Sequence, residues 1–299
     1  MSRVPAMGGL GQDPSAGRAA FLWACGLDVA VRKPGNVSRA SAGHGMQAAA
    51  FLSSAEAAAG PLFTPGLAVG ARIEAAVAAT WQAVGCNTNL GIVLLCAPLA
   101  VAWERLRDNT GADFDRLNFD RPELNQPDPD RASTTVGAAH AGVGAAVGVD
   151  LAALKTALGA VLATLDLDDA RATYRAIAQA NPGGLGRAAA QDVAAPPSVN
   201  LRAAMGLAAE RDSIARQYAN GFADVFACGL PALTEPRRRG NLAGAVQTVF
   251  MTFLAGWPDS HIVRKLGSGV AQSVTADAAS WLARLRADPA LGESAAFAA

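Results

Sequence analysis

A chain of 299 residues is long enough to bury a hydrophobic core, as one large domain or two smaller ones. Lysine and arginine together number 25, as do aspartate and glutamate, so no overall field favours nucleic acid or an anionic membrane. The four cysteines show neither a Cys-x-x-Cys motif nor a metal-ligand spacing, which favours reduced thiols in the cytoplasm. We therefore expect a cytoplasmic protein that binds neither nucleic acid nor a membrane.

The first 17 residues are rich in glycine and lack a continuous apolar region, so we expect a flexible leader and no targeting signal. We expect residues 18–299 to form one domain. The longest apolar run, Leu90–Trp103, has 14 residues, which is too short to span a bilayer comfortably and suits a buried helix.

Apolar residues recur at helical spacing along the chain, and no alternating strand with a hairpin turn is present. The ranges that we expect to be helical are 21–31, 47–59, 67–84, 90–107, 151–165, 168–180, 200–209, 212–227, 241–256, 259–266 and 275–286. The sequence therefore predicts an all-α protein, a single globular domain of roughly ten or more helices.

The first polar segment that interrupts this apolar sequence is 32–38. Its proline disfavours the α region in the preceding residue, and Gly35 permits a turn. We expect a loop with Lys33, Asn36 and Ser38 at its mouth, a cation, an amide and a hydroxyl that suit a polyanionic ligand. An ordinary helix end with solvated side chains is the alternative.

A second polar segment, 85–91, lies between two apolar helices. Amides and hydroxyls in such a place are costly to bury without partners. Asn87 or Thr88 could simply cap the helix that begins near residue 90. Otherwise these residues, with Asn89 and Gly91, offer backbone N–H groups and amides at a helix N-terminus, where phosphate oxygens bind well.

The third polar segment begins with Asp259, Ser260 and His261 and ends with Arg264 and Lys265. A carboxylate, a histidine and two cations within seven residues suit Mg²⁺ and a phosphate chain, with Asp259 as the metal ligand. An N-cap aspartate followed by an exposed basic end is the alternative. We expect the three polar segments to line one cleft between helices.

The three segments, in this order and at this spacing, resemble the triphosphoribosyl-dephospho-CoA synthase family. The matching motifs are Lys-Pro-Gly-Asn-Val-Ser, Asn-Thr-Asn-x-Gly and Asp-Ser-x-x-x-x-Lys-x-Gly, and the resemblance extends from about Phe21 to Gly267. It implies an all-α transferase with ATP and 3′-dephospho-CoA as substrates. In the family's reaction the ribose 2′-hydroxyl of dephospho-CoA displaces adenine from C1′ of ATP.

The chain also departs from this family, since Asn89-Leu90-Gly91 stands where the synthases have His-Lys-Gly. Asn-Thr-Asn-Leu-Gly and Pro-Asp-Ser-His-Ile-x-Arg-Lys are similar to a divergent branch found in archaea and one-carbon-metabolising bacteria. That branch implies, as an alternative, a related phosphoribosyl-type transfer in biosynthesis of a tetrahydromethanopterin-like coenzyme. A non-catalytic helical nucleotide-binding protein is an alternative of a different class.

Displacement of a base from a ribosyl carbon develops positive charge that carboxylates stabilise, while an acid assists the leaving base. We expect Glu210, Asp212 and His261 to be the catalytic residues, and Mg²⁺ to accompany the ATP substrate. The lysines and arginine of the polar segments would neutralise phosphate, and the asparagines would orient sugar hydroxyls or base edges. The acceptor would be a ribosyl-containing coenzyme precursor such as dephospho-CoA, and the sequence leaves a homodimer open.

Overall fold

The computed structural model describes residues 15–39, 46–110, 150–183, 185–238 and 240–298. Within these ranges the chain forms 13 α-helices and no β-strand, which confirms the predicted all-α fold. Most of the predicted leader lies outside the described residues, although its last part is helical because the first helix begins at Ser15. No helix in the described ranges is long and apolar enough to cross a membrane.

The helices are, in chain order, α1 (Ser15–Ala30), α2 (Ala48–Leu62), α3 (Val69–Val84), α4 (Leu90–Thr110), α5 (Leu151–Ala163), α6 (Leu167–Ala180), α7 (Leu201–Ala208), α8 (Ser213–Asn220), α9 (Leu230–Arg238), α10 (Leu242–Gly256), α11 (Ser260–Leu266), α12 (Ser268–Ala287) and α13 (Ala295–Ala298). A π-helical turn, Val225–Gly229, leads directly into α9. A short 3₁₀ helix, Pro289–Glu293, lies between α12 and α13.

Two apolar cores hold these helices together. The larger core joins α1 to α8 and contains fully buried side chains such as Leu62, Ile73 and Val93. The smaller core joins α10, α12 and α13 around Met251 and Phe297. The C-terminal helices therefore pack on one another as well as on the main bundle, and this division leaves a cleft between the two groups.

Arg72 is the largest fully buried side chain among the described residues. Its Nε donates to Leu67 O at 2.9 Å, and Nη1 donates to Leu62 O at 2.8 Å. Nη2 pairs with Glu104, whose other carboxylate oxygen accepts from Gly66 N at 2.7 Å. Every part of this buried charge therefore has a partner, and the guanidinium joins the end of α2, the start of α3 and α4.

The C-terminal helices are attached to the main bundle through Gln247 of α10, which is buried. Its Nε2 donates to Arg32 O at 3.1 Å and to Gly292 O at 2.9 Å. The guanidinium of Arg216 in α8 lies over the Trp257 ring, 4.3 Å from its centroid, in a cation–π contact with the residue that follows α10. These contacts set the position of α10 and α11 relative to α1 and α8.

Helix α4 contains a proline in its interior, and α8 compensates for it. Pro98 has no N–H, so the Leu94 carbonyl four residues earlier lacks its helical partner. The Tyr218 hydroxyl of α8 donates to that carbonyl at 2.6 Å, in a buried position. Burial raises the pKa of Tyr218, so the hydroxyl stays a protonated donor. This bond fixes α8 against α4.

We predict that Tyr218→Phe destabilises the fold by about 1–3 kcal/mol, because the Leu94 carbonyl is then buried without a donor. In a Pro98→Ala background the alanine N–H can reach the same carbonyl, so the loss on Tyr218→Phe should be clearly smaller. Denaturant unfolding of the four proteins measures this coupling. Equal losses in both backgrounds would show that the hydroxyl does not serve the carbonyl.

Candidate active site

The cleft between the main bundle and the C-terminal helices has a volume of about 1190 Å³. Its lining residues include 34–37 from the first polar segment and 85–88 and 90–91 from the second. Asp259 and residues 261–265 line it from the third. The structure therefore brings the three predicted polar segments together at one cleft.

The first segment forms a tight turn at the end of α1. Asn36 N donates to Lys33 O at 3.2 Å, with Pro34 and Gly35 between them, and Gly35 has a φ of 69°. A proline followed by a residue with positive φ is the pattern of a type II turn. Glycine adopts this positive φ without strain, which explains why it occupies position 35. Pro34, Gly35 and Asn36 all face the cleft. Ser38 is buried and lies outside the lining residues.

Lys33 differs from the expected loop-mouth position, because its side chain is buried and lies outside the residues that line the cleft. Its Nζ donates to Asp28 O at 2.5 Å and also pairs with the Asp28 carboxylate. The last carbonyls of a helix lack helical partners and carry partial negative charge. The ammonium therefore folds back onto α1 and caps its C-terminus.

The second segment joins α3 to α4 and is held mostly by hydrogen bonds within the protein. Asn87 Oδ1 accepts from Leu90 N at 3.2 Å and caps the first turn of α4. Thr88 Oγ1 donates to Ser54 Oγ at 2.5 Å, and Asn89 Nδ2 donates to Ser54 O at 3.3 Å. Asn89 is buried behind the cleft surface, whereas Asn87 and Thr88 line the cleft.

Gly91 also lines the cleft, and its lack of a side chain serves the packing of α4 on α8. A Cβ at this position would lie 2.7 Å from Ile214 Cδ1. The glycine therefore leaves room for the Ile214 side chain where α4 meets α8, and a larger residue at this position would require that side chain to move.

The third segment begins with the N-cap of α11. Asp259 Oδ1 accepts from His261 N at 2.7 Å and from Ile262 N at 3.0 Å. Capping is the alternative that we gave for Asp259, and the structure shows that it occurs. Ser260 is the first residue of α11 and lies outside the lining residues.

Arg264 of α11 reaches across to Asp212, the N-cap residue of α8. Its Nη1 lies 3.2 Å from Asp212 Oδ2, while Asp212 Oδ1 accepts from Ile214 N and Ala215 N. Both carboxylate oxygens are thus engaged, so Asp212 orients the arginine. Arg264 Nε is buried and has no hydrogen-bond partner among the described residues.

His261 lines the cleft beside these charges. Desolvation lowers the pKa of His261, and the charge of Arg264 lowers it further, while Asp259 and Asp212 oppose the shift. The imidazole is therefore neutral at pH 7. Glu210, the third predicted catalytic residue, is exposed and lies outside the lining residues.

Three charged lining residues were not predicted as site residues: Arg187, Asp192 and Arg211. Asp192 accepts from Ala194 N at 2.8 Å and from Ala188 N at 2.6 Å. These backbone bonds lower the pKa of Asp192, and the charges of Arg187 and Arg211 lower it further. An arginine soon after a glycine-rich helix end was the available sequence signal for this loop.

The charges of the cleft are confined to one part of the chain. The charged side chains that line it are Arg187, Asp192, Arg211, Asp212, Asp259, Arg264 and Lys265. We call the surface formed by lining residues 187–265 the cationic wall, since it has four cations against three carboxylates. Lining residues 34–94 include no charged side chain, and we call their surface the uncharged wall.

Within the described ranges, no three or more His, Cys, Asp or Glu side chains lie close enough together to hold a metal ion by themselves. Mg²⁺ at nucleotide sites needs only one or two carboxylates, because substrate phosphates supply further ligands. In Asp259 only Oδ1 caps the helix, and no described residue donates to Oδ2. The site therefore fits a Mg²⁺ that enters with a triphosphate.

The all-helical fold encloses a cleft whose lining includes four cationic and three acidic side chains. The family model described as CitG, ATP:dephospho-CoA triphosphoribosyl transferase, matches residues 15–298. The chain belongs to this family of ATP-using transferases, as its motifs indicated. Searches of curated proteins and of solved structures each give no match.

We predict that Lys33→Met lowers the free energy of unfolding by about 1–3 kcal/mol, because the ammonium caps α1 through charged hydrogen bonds. ATP affinity should change less than twofold, since the side chain lies outside the cleft lining. Thermal unfolding and calorimetric titration of ATP measure the two quantities.

Arg32→Met, at the exposed neighbouring position, is the matched control and should leave both quantities near those of the parent. A loss of about 2–4 kcal/mol in ATP binding, with stability unchanged, would instead support the phosphate contact that the sequence led us to expect for Lys33.

Proposed function

We propose that this cleft transfers the triphosphoribosyl group of ATP to the 2′-hydroxyl of dephospho-CoA. The C1′–N9 bond of ATP breaks, a C1′–O2′ bond forms, and adenine leaves as the neutral base after gaining a proton. The observation that supports this most is the cationic wall, where Arg187, Arg211, Arg264 and Lys265 line one cleft. Family membership supplies the reaction class.

The cationic wall is suited to a triphosphate because it combines one arginine that is already held in place with exposed cations that can reach a ligand. Arg264 is oriented by Asp212, and Arg187 and Arg211 lie near Asp192. Lys265 lies against the loop after α6, since a Cβ at Gly183 would be 4.0 Å from Lys265 Cε. Because Asp212 already orients Arg264, this arginine loses little conformational freedom on binding phosphate, which increases affinity.

Asp259 would hold the Mg²⁺ that accompanies ATP, through the carboxylate oxygen that does not cap α11. Bound Mg²⁺ neutralises triphosphate charge and helps to fix the orientation of the chain of phosphates. The two cationic residues at the end of the same short helix, Arg264 and Lys265, then contact the remaining phosphate oxygens.

His261 is our proposed general base for the acceptor hydroxyl. Its lowered pKa keeps the imidazole neutral at pH 7, so a ring nitrogen is available to accept a proton. Asp212 is less suited to this role, because its two oxygens already bind backbone N–H groups and Arg264.

The size of the cleft also agrees with a reaction between two nucleotides. Its volume of about 1190 Å³ is larger than the roughly 300–1,000 Å³ of pockets that hold one drug-sized ligand. A donor and an acceptor can therefore lie in it together, which an in-line displacement at C1′ requires.

We predict that the purified protein, incubated with Mg²⁺, ATP and dephospho-CoA, forms adenine and a triphosphoribosyl adduct in equal amounts. Chromatography detects the adenine, and mass spectrometry detects the adduct. Arg211→Gln should lower kcat/KM for ATP about ten- to a hundredfold, because it removes a charged phosphate contact.

Arg286→Gln removes an exposed arginine of α12 that lies outside the cleft lining and should leave kcat/KM unchanged. Adenine release that continues equally well without an acceptor would show hydrolysis of ATP and contradict the proposed transfer. Equal losses of kcat/KM in the two arginine variants would show that the cationic wall does not bind the phosphates of ATP.

We predict that kcat/KM is constant above neutral pH and falls as the pH drops through the lowered pKa of His261. Protonation removes the lone pair that accepts the hydroxyl proton, so this fall should lie below pH 6.5, the ordinary value for histidine. His261→Gln should lower kcat by about 10²–10⁴ and remove that pH dependence. Initial rates of adenine release by the parent and by His261→Gln, taken from pH 5 to 9, measure this pH dependence.

Asp277→Asn, at an exposed position of α12, is the control and should keep the acid fall of the parent. An unchanged acid fall in His261→Gln would assign the general base to another residue.

A further inference from the structure

The two walls of the cleft offer different surfaces to different parts of a nucleotide. We infer that the uncharged wall binds the adenine base of the ATP donor, with Trp81 as the surface on which the base stacks. This inference rests on the proposed function, and it adds a base-binding residue that none of the predicted polar segments includes.

Trp81 occupies the last turn of α3 and lines the cleft. The buried face of α3 includes Ile73, Val77 and Thr80, and Trp81 lies just off this face with 37% of its surface exposed. An exposed indole is a large apolar surface, and a ligand that covers it gains hydrophobic and stacking energy.

The backbone around Trp81 is held in place without a ligand. Gly85 N donates to Trp81 O at 2.8 Å, and Gly85 takes a left-handed conformation, with a φ of 68°, that ends α3. Trp81 is also on a helix that is fixed to α4 and α6 at its other end by Arg72 and Gly70. A base that stacks on Trp81 therefore meets a helix that is already in place, so the backbone loses little entropy on binding.

The polar side chains that line the cleft from residues 34–94 suit a neutral heterocycle better than a phosphate. Asn87 uses Oδ1 to cap α4, and no described residue accepts from its Nδ2, which leaves an amide donor at the cleft surface. Asn36 presents a second amide from the turn after α1. Amides donate to and accept from base edges, and asparagine pairs well with the N6 and N7 edge of adenine.

Because lining residues 34–94 include no charged side chain, we infer that ATP binds with its base toward these residues and its phosphates toward the cationic wall. A triphosphate has four cations to contact on the cationic wall and none on the uncharged wall. Because the ribose joins the base to the phosphates, this orientation places the reacting C1′ inside the cleft, between the base on Trp81 and the phosphates on the cations.

The test compares three ligands that separate base from phosphate: ATP, adenosine and inorganic tripolyphosphate. We expect Trp81→Ala to weaken ATP binding about tenfold or more and to abolish measurable adenosine binding, because base stacking is lost. Tripolyphosphate binding should change less than twofold. Trp81→Phe should keep most of the ATP affinity, whereas Trp81→Leu, which is apolar but cannot stack a base, should behave like Trp81→Ala.

Arg211→Gln supplies the opposite pattern and should weaken ATP and tripolyphosphate binding while leaving adenosine binding unchanged. Melting temperatures of all variants show that each is folded at the titration temperature. Parent-like ATP affinity in Trp81→Ala, or equal losses for ATP and tripolyphosphate, would overturn the inference and leave the proposed transfer standing. A parent protein that binds no ATP would overturn both.

Discussion

The buried charge of Arg72 is the constraint on which the positions of α2, α3 and α4 depend. A guanidinium inside an apolar bundle is stable only when each of its groups is paired, and here two carbonyls and Glu104 supply the partners. The ion pair closes the α3–α4 hairpin at one end. The cleft lies at the other end, about 18 Å along α3, so this pairing holds the helices that form the uncharged wall.

The cationic wall is built differently, from loops and short helices that carboxylates hold in place. Asp212 and Asp259 each cap a short helix, and Asp192 accepts two backbone N–H groups in the loop after α6. These acids therefore do two things at once. They satisfy backbone donors that would otherwise lack partners, and they balance part of the positive charge that the wall gathers. The bond from Tyr218 to Leu94 then joins this wall to α4.

Several features of the protein follow from the sequence because they depend on neighbours along the chain. Helical periodicity predicts the helices, and the turn at Gly35 follows from a Pro-Gly pair. Polar residues within apolar sequence need partners, which is why the segments at 32–38, 85–91 and 259–265 indicated a site. The motifs in those segments indicated the family across nearly the whole chain.

The sequence by itself thus determined the helical class, the family and the three segments that meet at the cleft. Only the tertiary structure decided which side chains face the cleft. Lys33 and Asn89 are bound by the protein's own carbonyls, whereas Arg187 and Trp81 lie at the cleft surface. The reason is physical: a residue's chemistry is local, but its partner is set by packing, as between Gln247 and Arg32, which are 215 residues apart.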